Sequence, residues 1–364
     1  MRLLTTILSL LLLATACGEK GQDGVNKSEL AHQIERKPFY TRNPQSSAPS
    51  HIVEGSKIRL AHTGWGENYG SFTLNFPEGE SKRIILEYIM GSEGKRPADY
   101  DNTTIFFVKD KSSNEWHEIA RAFTPFGGMF DSSWEKRFYL DITEYQTLLQ
   151  GDTEFRYYYG GWDATEEMAH AVTLNFIHYK GSPERELIAI KNIYDSATTD
   201  NCGNRAWVYG IEGYDIEAEE RLGLRRITIP NGTKEIELRL SITGHGHDKG
   251  TFVESGTIAE NAAEFDENFY TIIIDGNKQS NKGHIFYSNK DNYAQMGTYS
   301  YDRANWAPGN PANIHYWALE RASNSKREMT IDIDLTKFVS EFDSPQANDG
   351  VARYVIQADL LFYK

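Results

Sequence analysis

Two histidines two apart, His245 and His247, followed by Asp248, are the first arrangement in this sequence that could do chemistry. Residues two apart on a strand point to one face, so the pair could offer two imidazoles to a metal. A third ligand would have to come from Glu264, His284 or His315, and no HExxH motif or cysteine pair accompanies them. Cys202 could be a nucleophile, but Asp200-Asn201-Cys202-Gly203-Asn204 reads as a polar loop with nothing to lower a thiol pKa. Gly244 to Gly250 lacks the Lys-Ser/Thr ending and following helix of a phosphate loop.

The elements that must position any site read as strands. From Lys234 to Ile242, Ile236, Leu238, Leu240 and Ile242 share one face, and Glu235, Glu237, Arg239 and Ser241 share the other. Such alternation predicts a half-buried strand. The same period of two appears in Arg137 to Ile142, Glu154 to Tyr159, Ala171 to Ile177, Thr330 to Leu335 and Arg353 to Phe362. Turn-rich pieces such as Pro77-Glu78-Gly79, Gly181-Ser182-Pro183 and Pro230-Asn231-Gly232 separate the runs. Helical periodicity is nearly absent, apart from a turn around Glu144 to Leu148. Many short strands without βαβ alternation predict an all-β protein of two adjacent antiparallel jelly-roll β-sandwiches. The break at Gly181-Ser182-Pro183 places one domain at 51–182 and the other at 186–364.

The start of the chain speaks to compartment. Arg2 precedes the apolar run Leu3 to Leu13, too short to span roughly 30 Å of hydrocarbon, and Ala14-Thr15-Ala16-Cys17 resembles a bacterial lipobox. The expectation is a signal peptide over 1–17, lipidation at Cys17 and a polar tether over 18–50. The product would be an exported, membrane-anchored lipoprotein, periplasmic or at the cell surface. With Cys17 lipidated, Cys202 has no partner for a disulfide. The formal charge of −14, from 52 acidic and 38 basic residues, and the lack of a basic block argue against nucleic acid as a partner.

Several segments together resemble the peptide-N-glycosidase F family. They are Thr103 to Trp116 with His117-Glu118-Ile119 and Phe123-Thr124-Pro125, then Leu140 to Thr143 with Leu148 to Glu154. In the second half they are Ile242 to His247, Ala263-Glu264-Phe265 and Tyr301 to Gly309, all in one consistent order. The resemblance implies two eight-stranded jelly rolls side by side. It also implies hydrolysis of the amide between an asparagine side chain and the first N-acetylglucosamine of an N-linked glycan, without metal or organic cofactor. N-glycoproteins or N-glycopeptides would be the partners.

Carried over residue by residue, the resemblance implies catalytic roles for Asp101, Glu264 and Arg303, and a cleft lined by Trp162, His247 and Trp306. Asp101 would act as base, Glu264 would orient water, and Arg303 would place charge at the developing oxyanion. Trp162 and Trp306 would offer flat faces to sugar rings. Read alone, Asp101 is a turn residue, Glu264 part of the solvated acidic stretch Glu260 to Glu267, and Arg303 a surface partner of Asp302.

The departures from the family pattern are specific. His245 stands for a tryptophan, Asn102 for an arginine, Ala262 and Asp266 for cysteines, and Gly160 for a third carboxylate. The last predicts a roomier sugar pocket at Gly160. The competing reading is a non-catalytic glycan-binding surface lipoprotein, since a 13% aromatic content suits stacking as well as catalysis.

Overall fold

The computed structural model describes residues 29–55, 58–60, 68–92, 94–161, 168–196, 222–246, 248–320, 327–340 and 352–364. Cys17, Cys202, Trp162 and His247 lie outside them. All strand pairs within the sheets are antiparallel, and the architecture is two jelly-roll sandwiches.

In the first sandwich, one sheet runs in the order β2 (Phe39–Tyr40), β9 (Glu135–Asp141), β6 (Ser81–Gly91), β11 (His170–Lys180), β3 (His51–Glu54). The short β4 (Ile58–Leu60) also lies on β11. The facing sheet runs β5 (Asn68–Phe76), β10 (Gly151–Tyr159), β7 (Thr103–Lys109), β8 (Trp116–Phe123). Alternate residues such as Leu86, Met90, Phe106, Phe155, Leu174 and Phe176 meet between them, removing aromatic and aliphatic area from water.

The second sandwich pairs β1 (Ala31–Ile34), β19 (Ile314–Leu319), β14 (Glu235–His245), β22 (Arg353–Tyr363) and β12 (Leu187–Tyr194) in that order. It packs on β13 (Arg225–Thr228), β20 (Glu328–Leu335), β17 (Asn268–Ile274) and β18 (Asn277–Ile285). A small sheet of β16 (Ile258–Ala259), β15 (Gly250–Phe252) and β21 (Phe338–Ser340) sits beside it. The expected turn near Glu144 is a single 3-10 turn, Thr143–Tyr145.

Two expectations are corrected. Residues 31–34 and 39–40, assigned to a polar tether, are strands: β1 closes the second sandwich on β19, and β2 adds to the first on β9. Between them Arg36 reaches Glu237 at 2.5 Å and Glu144 at 3.6 Å, one carboxylate in each sandwich. β14 is also not half-buried. Glu237, Arg239 and Ser241 are 1%, 1% and 0% exposed, because their face packs on the first sandwich.

That face is polar and internally paired. A register shift opposite Phe106 and Phe107 bulges β8 at Ile119, and Glu118 and Arg121, three residues apart, meet at 2.6 Å. Arg121 also donates to Thr243 Oγ1 at 2.7 Å and the Val355 carbonyl at 2.8 Å. Arg239 donates back to the carbonyls of Glu118 and Ile119 at 2.9 and 2.7 Å, and His117 pairs with Asp359 at 2.9 Å. Buried ions cost several kcal/mol each unless their partners are in place, so this network fixes one docking geometry for the two sandwiches.

Candidate active site

Asp101 lies in the lead into β7. Asn102 donates its backbone N–H to Thr124 Oγ1 at 2.8 Å, and Thr124 returns one to the Asn102 carbonyl at 2.9 Å. These bonds pin the lead to the end of β8 and leave the Asp101 side chain only 12% exposed. Loss of hydration raises its pKa; Arg303 opposes that and Glu264 adds to it, leaving the carboxyl pushed up to about 7.

The second sandwich delivers its residues on two segments. The excursion between β18 and β19 pairs Arg303 with Tyr287 through both backbone groups, and Ala304 donates to the Glu264 carbonyl at 3.0 Å. Asn305 then turns the chain in the left-handed region, φ 69, with its side-chain amide bonded to the Ile242 and Asn313 carbonyls. Gly246, φ 83, also adopts a left-handed conformation that a side chain would resist, and its N–H donates to Glu264 Oε2 at 3.2 Å.

These segments meet at Arg303. Its Nη2 donates to Asp101 Oδ2 at 3.2 Å, and its Nε lies 3.5 Å from Glu264 Oε1. Nη1 donates to the Thr298 and Tyr301 carbonyls at 2.8 and 3.2 Å, and Nη2 also to Thr298 Oγ1 at 2.9 Å. The guanidinium is 4.6 Å from the Trp306 ring centre and 4.9 Å from that of Phe265. Only 1% of Arg303 is exposed. The expectation that it faces a developing oxyanion is therefore corrected: both terminal nitrogens are engaged within the protein, and Arg303 is a brace between two carboxylates.

Two further roles change. Trp306, expected as a sugar platform, is 3% exposed, stacks on Phe123 with centroids 4.2 Å apart and donates its indole N–H to the Gly244 carbonyl. His245 packs against both rings, with centroids 5.5 Å from Trp306 and 5.7 Å from Phe123, and shares a hydrogen bond with Thr243. Burial, followed by Arg353, Arg121 and Arg303, holds His245 well below the usual histidine range, so the ring is neutral. Trp306 thus backs the Arg303 guanidinium, and His245 packs in turn against Trp306.

Gly160 donates its N–H to the Thr103 carbonyl at 2.9 Å, next to the Asp101 lead. A Cβ there would meet the Tyr158 hydroxyl at 2.4 Å, so the room expected beside Gly160 is already filled by Tyr158. Sequence reasoning missed Thr298, which holds Arg303 chiefly by a carbonyl that every residue type possesses. It also missed Tyr100 and Tyr301, 63% and 59% exposed, which flank Asp101 and Arg303 in sequence.

Two carboxylates and a bracing arginine are thus drawn from both sandwiches, and known proteins share parts of this chain. A family model described as peptide-N-glycosidase F, C terminal, matches residues 214–355. The matched stretch contains Glu264 and Arg303, so the chain resembles this family through its second sandwich. It is 27% identical over 243 residues to peptide-N(4)-(N-acetyl-beta-D-glucosaminyl)asparagine amidase F of Elizabethkingia miricola, covering 65% of this chain and 64% of that relative. Among solved structures, recombinant peptide:N-glycanase F superposes with a TM-score of 0.64 at 22% identity, over 86% of this chain and 95% of that one. PNGase F from Flavobacterium meningosepticum, described as a glycosylasparaginase, gives 0.62 at 20% identity, over 86% and 96%. These superpositions show that the family's fold is shared over both sandwiches.

Proposed function

We propose that this protein hydrolyses the amide between an asparagine side chain and the first N-acetylglucosamine of N-linked glycans. The observation that carries the reading is the convergence of Asp101, from the first sandwich, and Glu264, from the second, on Arg303. The activity in the name of the Elizabethkingia relative agrees with it. A carboxyl near pKa 7 is matched to proton transfer at neutral pH. Asp101 takes a proton from water as the water oxygen attacks the side-chain carbonyl. The carbon–nitrogen bond then breaks and Asp101 returns the proton to the departing nitrogen. Aspartate remains on the peptide and the glycan leaves as a glycosylamine. Glu264 holds the water, and Arg303 keeps the two carboxylates in register despite their mutual repulsion. No cofactor enters this scheme.

The test is incubation with a denatured N-glycopeptide followed by mass analysis. Release of the whole glycan with asparagine converted to aspartate is expected; an untouched peptide, or one retaining a sugar, overturns the reading. We further propose that the protein acts outside the cytoplasm on a lipid anchor at Cys17, so that Cys17→Ser should lose fatty-acid labelling and partition with soluble protein.

A further inference from the structure

The segment that carries Glu264 has a second side. Phe265 lies against Arg303, with 4.9 Å from guanidinium carbon to ring centre, and also forms one wall of a groove of about 660 Å³. The groove is bounded by β15, β16 and the start of β17, with Phe252, Ile258 and Phe269 as its other apolar surfaces and Glu254 and Asp266 at its edges. Ile258 and Phe269 are 58% and 38% exposed. Phe269 continues as a row of near-parallel rings: His284 stacks on it at 4.7 Å and 8°, and Phe286 on His284 at 5.2 Å and 6°. The volume falls within the range of small-ligand sites, about 300–1,000 Å³.

Charge decides between ligand classes. Two of the carboxylates around the groove already have basic partners in this chain, Glu260 the Lys249 ammonium at 3.2 Å and Glu267 the His284 imidazole at 2.5 Å. A basic peptide would compete with those partners. A neutral, hydroxyl-rich ligand would not: its hydroxyls donate to carboxylates while its C–H faces lie on aromatic rings. Its wall Phe265 follows Glu264 in the chain and lies against Arg303, which places the groove beside the carboxylate pair.

We propose that this groove is a second glycan subsite, which receives outer sugars of the oligosaccharide whose first residue is held at Asp101. The proposal rests on the amidase reading above, and its test separates the two. Two glycopeptides of the same sequence are compared on the full mature chain, one bearing only the two core N-acetylglucosamines and one a complete high-mannose glycan. Phe269→Ala should raise KM for the long glycan about tenfold, leaving kcat and the short substrate unchanged. Ile258→Ser, at an exposed position, should act in the same direction. Equal KM values for both substrates in both variants overturn the subsite. If the wild type cleaves neither substrate, free high-mannose oligosaccharide is titrated calorimetrically. Binding weakened by Phe269→Ala then supports the groove while the amidase reading falls; no binding, or binding unchanged by the substitution, overturns the groove as well.

Discussion

The hydrogen bond from Arg303 Nη2 to Asp101 Oδ2, 3.2 Å long, crosses from one sandwich to the other. Neither sandwich alone holds the pair, so the acid–base properties of Asp101 are a property of the docked molecule. Its pKa of about 7 is the result of lost hydration and the Glu264 charge prevailing over Arg303.

Asp101→Asn should lower kcat/KM by about 10²–10⁴-fold, the usual weight of a general base. The wild-type kcat/KM profile should show an acid limb near pH 7. The stability effect has a definite sign. With the folded value above the unfolded one of about 3.9, Asp101 contributes stability that is present at low pH and lost as pH rises through about 7. The gain in Tm of Asp101→Asn over wild type should therefore be larger at pH 8 than at pH 5. Scanning calorimetry at the two pH values checks this; an equal difference at both would mean Asp101 ionises normally.

Glu264 is one of the causes that raise the Asp101 pKa, so Glu264→Gln should move the acid limb of kcat/KM to lower pH while reducing the plateau. Because Arg303 touches both carboxylates, combining Glu264→Gln with Arg303→Met should cost less than the sum of the single losses. Strict additivity in activation free energy would show that the three residues do not act on one transition state.

At Gly160, an added Cβ lies 2.4 Å from the Tyr158 hydroxyl and 3.1 Å from its ring carbon Cζ. Gly160→Ala should destabilise by about 1–3 kcal/mol through overpacking. Tyr158→Phe removes the atom in closest conflict and should recover much of that loss in the double variant. Denaturant midpoints of the four proteins decide; a Gly160→Ala chain as stable as wild type would place Tyr158 elsewhere.

His117 tests the interface itself. Burial opposes charging the ring, but Asp359, with smaller help from Glu115 and Asp110, outweighs it and raises the pKa. The resulting stability is fully present below the unfolded value of about 6.5 and is lost as pH rises through the higher folded value. The wild-type Tm should fall over that interval, and His117→Asn should flatten the fall. A slope unchanged by the substitution would assign the pH dependence to Asp101 alone.

The alternation along Glu235 to Ile242 was sufficient to place β14, and the Asp101, Glu264 and Arg303 segments could be aligned by their order. The burial of Glu237 and Arg239 was not legible, because a charged residue at a strand's polar positions looks the same facing water or a second domain. Trp306 was misjudged for a related reason: sequence shows that a residue has a flat apolar face, but the stack of Phe123, Trp306 and His245 that covers it is drawn from both halves of the chain. The four-residue β1, AHQI, gives too short a pattern to distinguish from a linker.

The strands β1 and β2 have a consequence for how the molecule is made. Ala31 is partnered with Leu319, while Phe39, eight positions on from Ala31, is partnered with Leu140. A nascent chain therefore exposes the β1 segment almost from the outset but cannot match it until nearly the last strands have been synthesised. Contacts so distant in sequence form late and slowly. Among the described strands, β1 lies farthest in sequence from its partner, so it stays unmatched through most of synthesis while the first sandwich can already close.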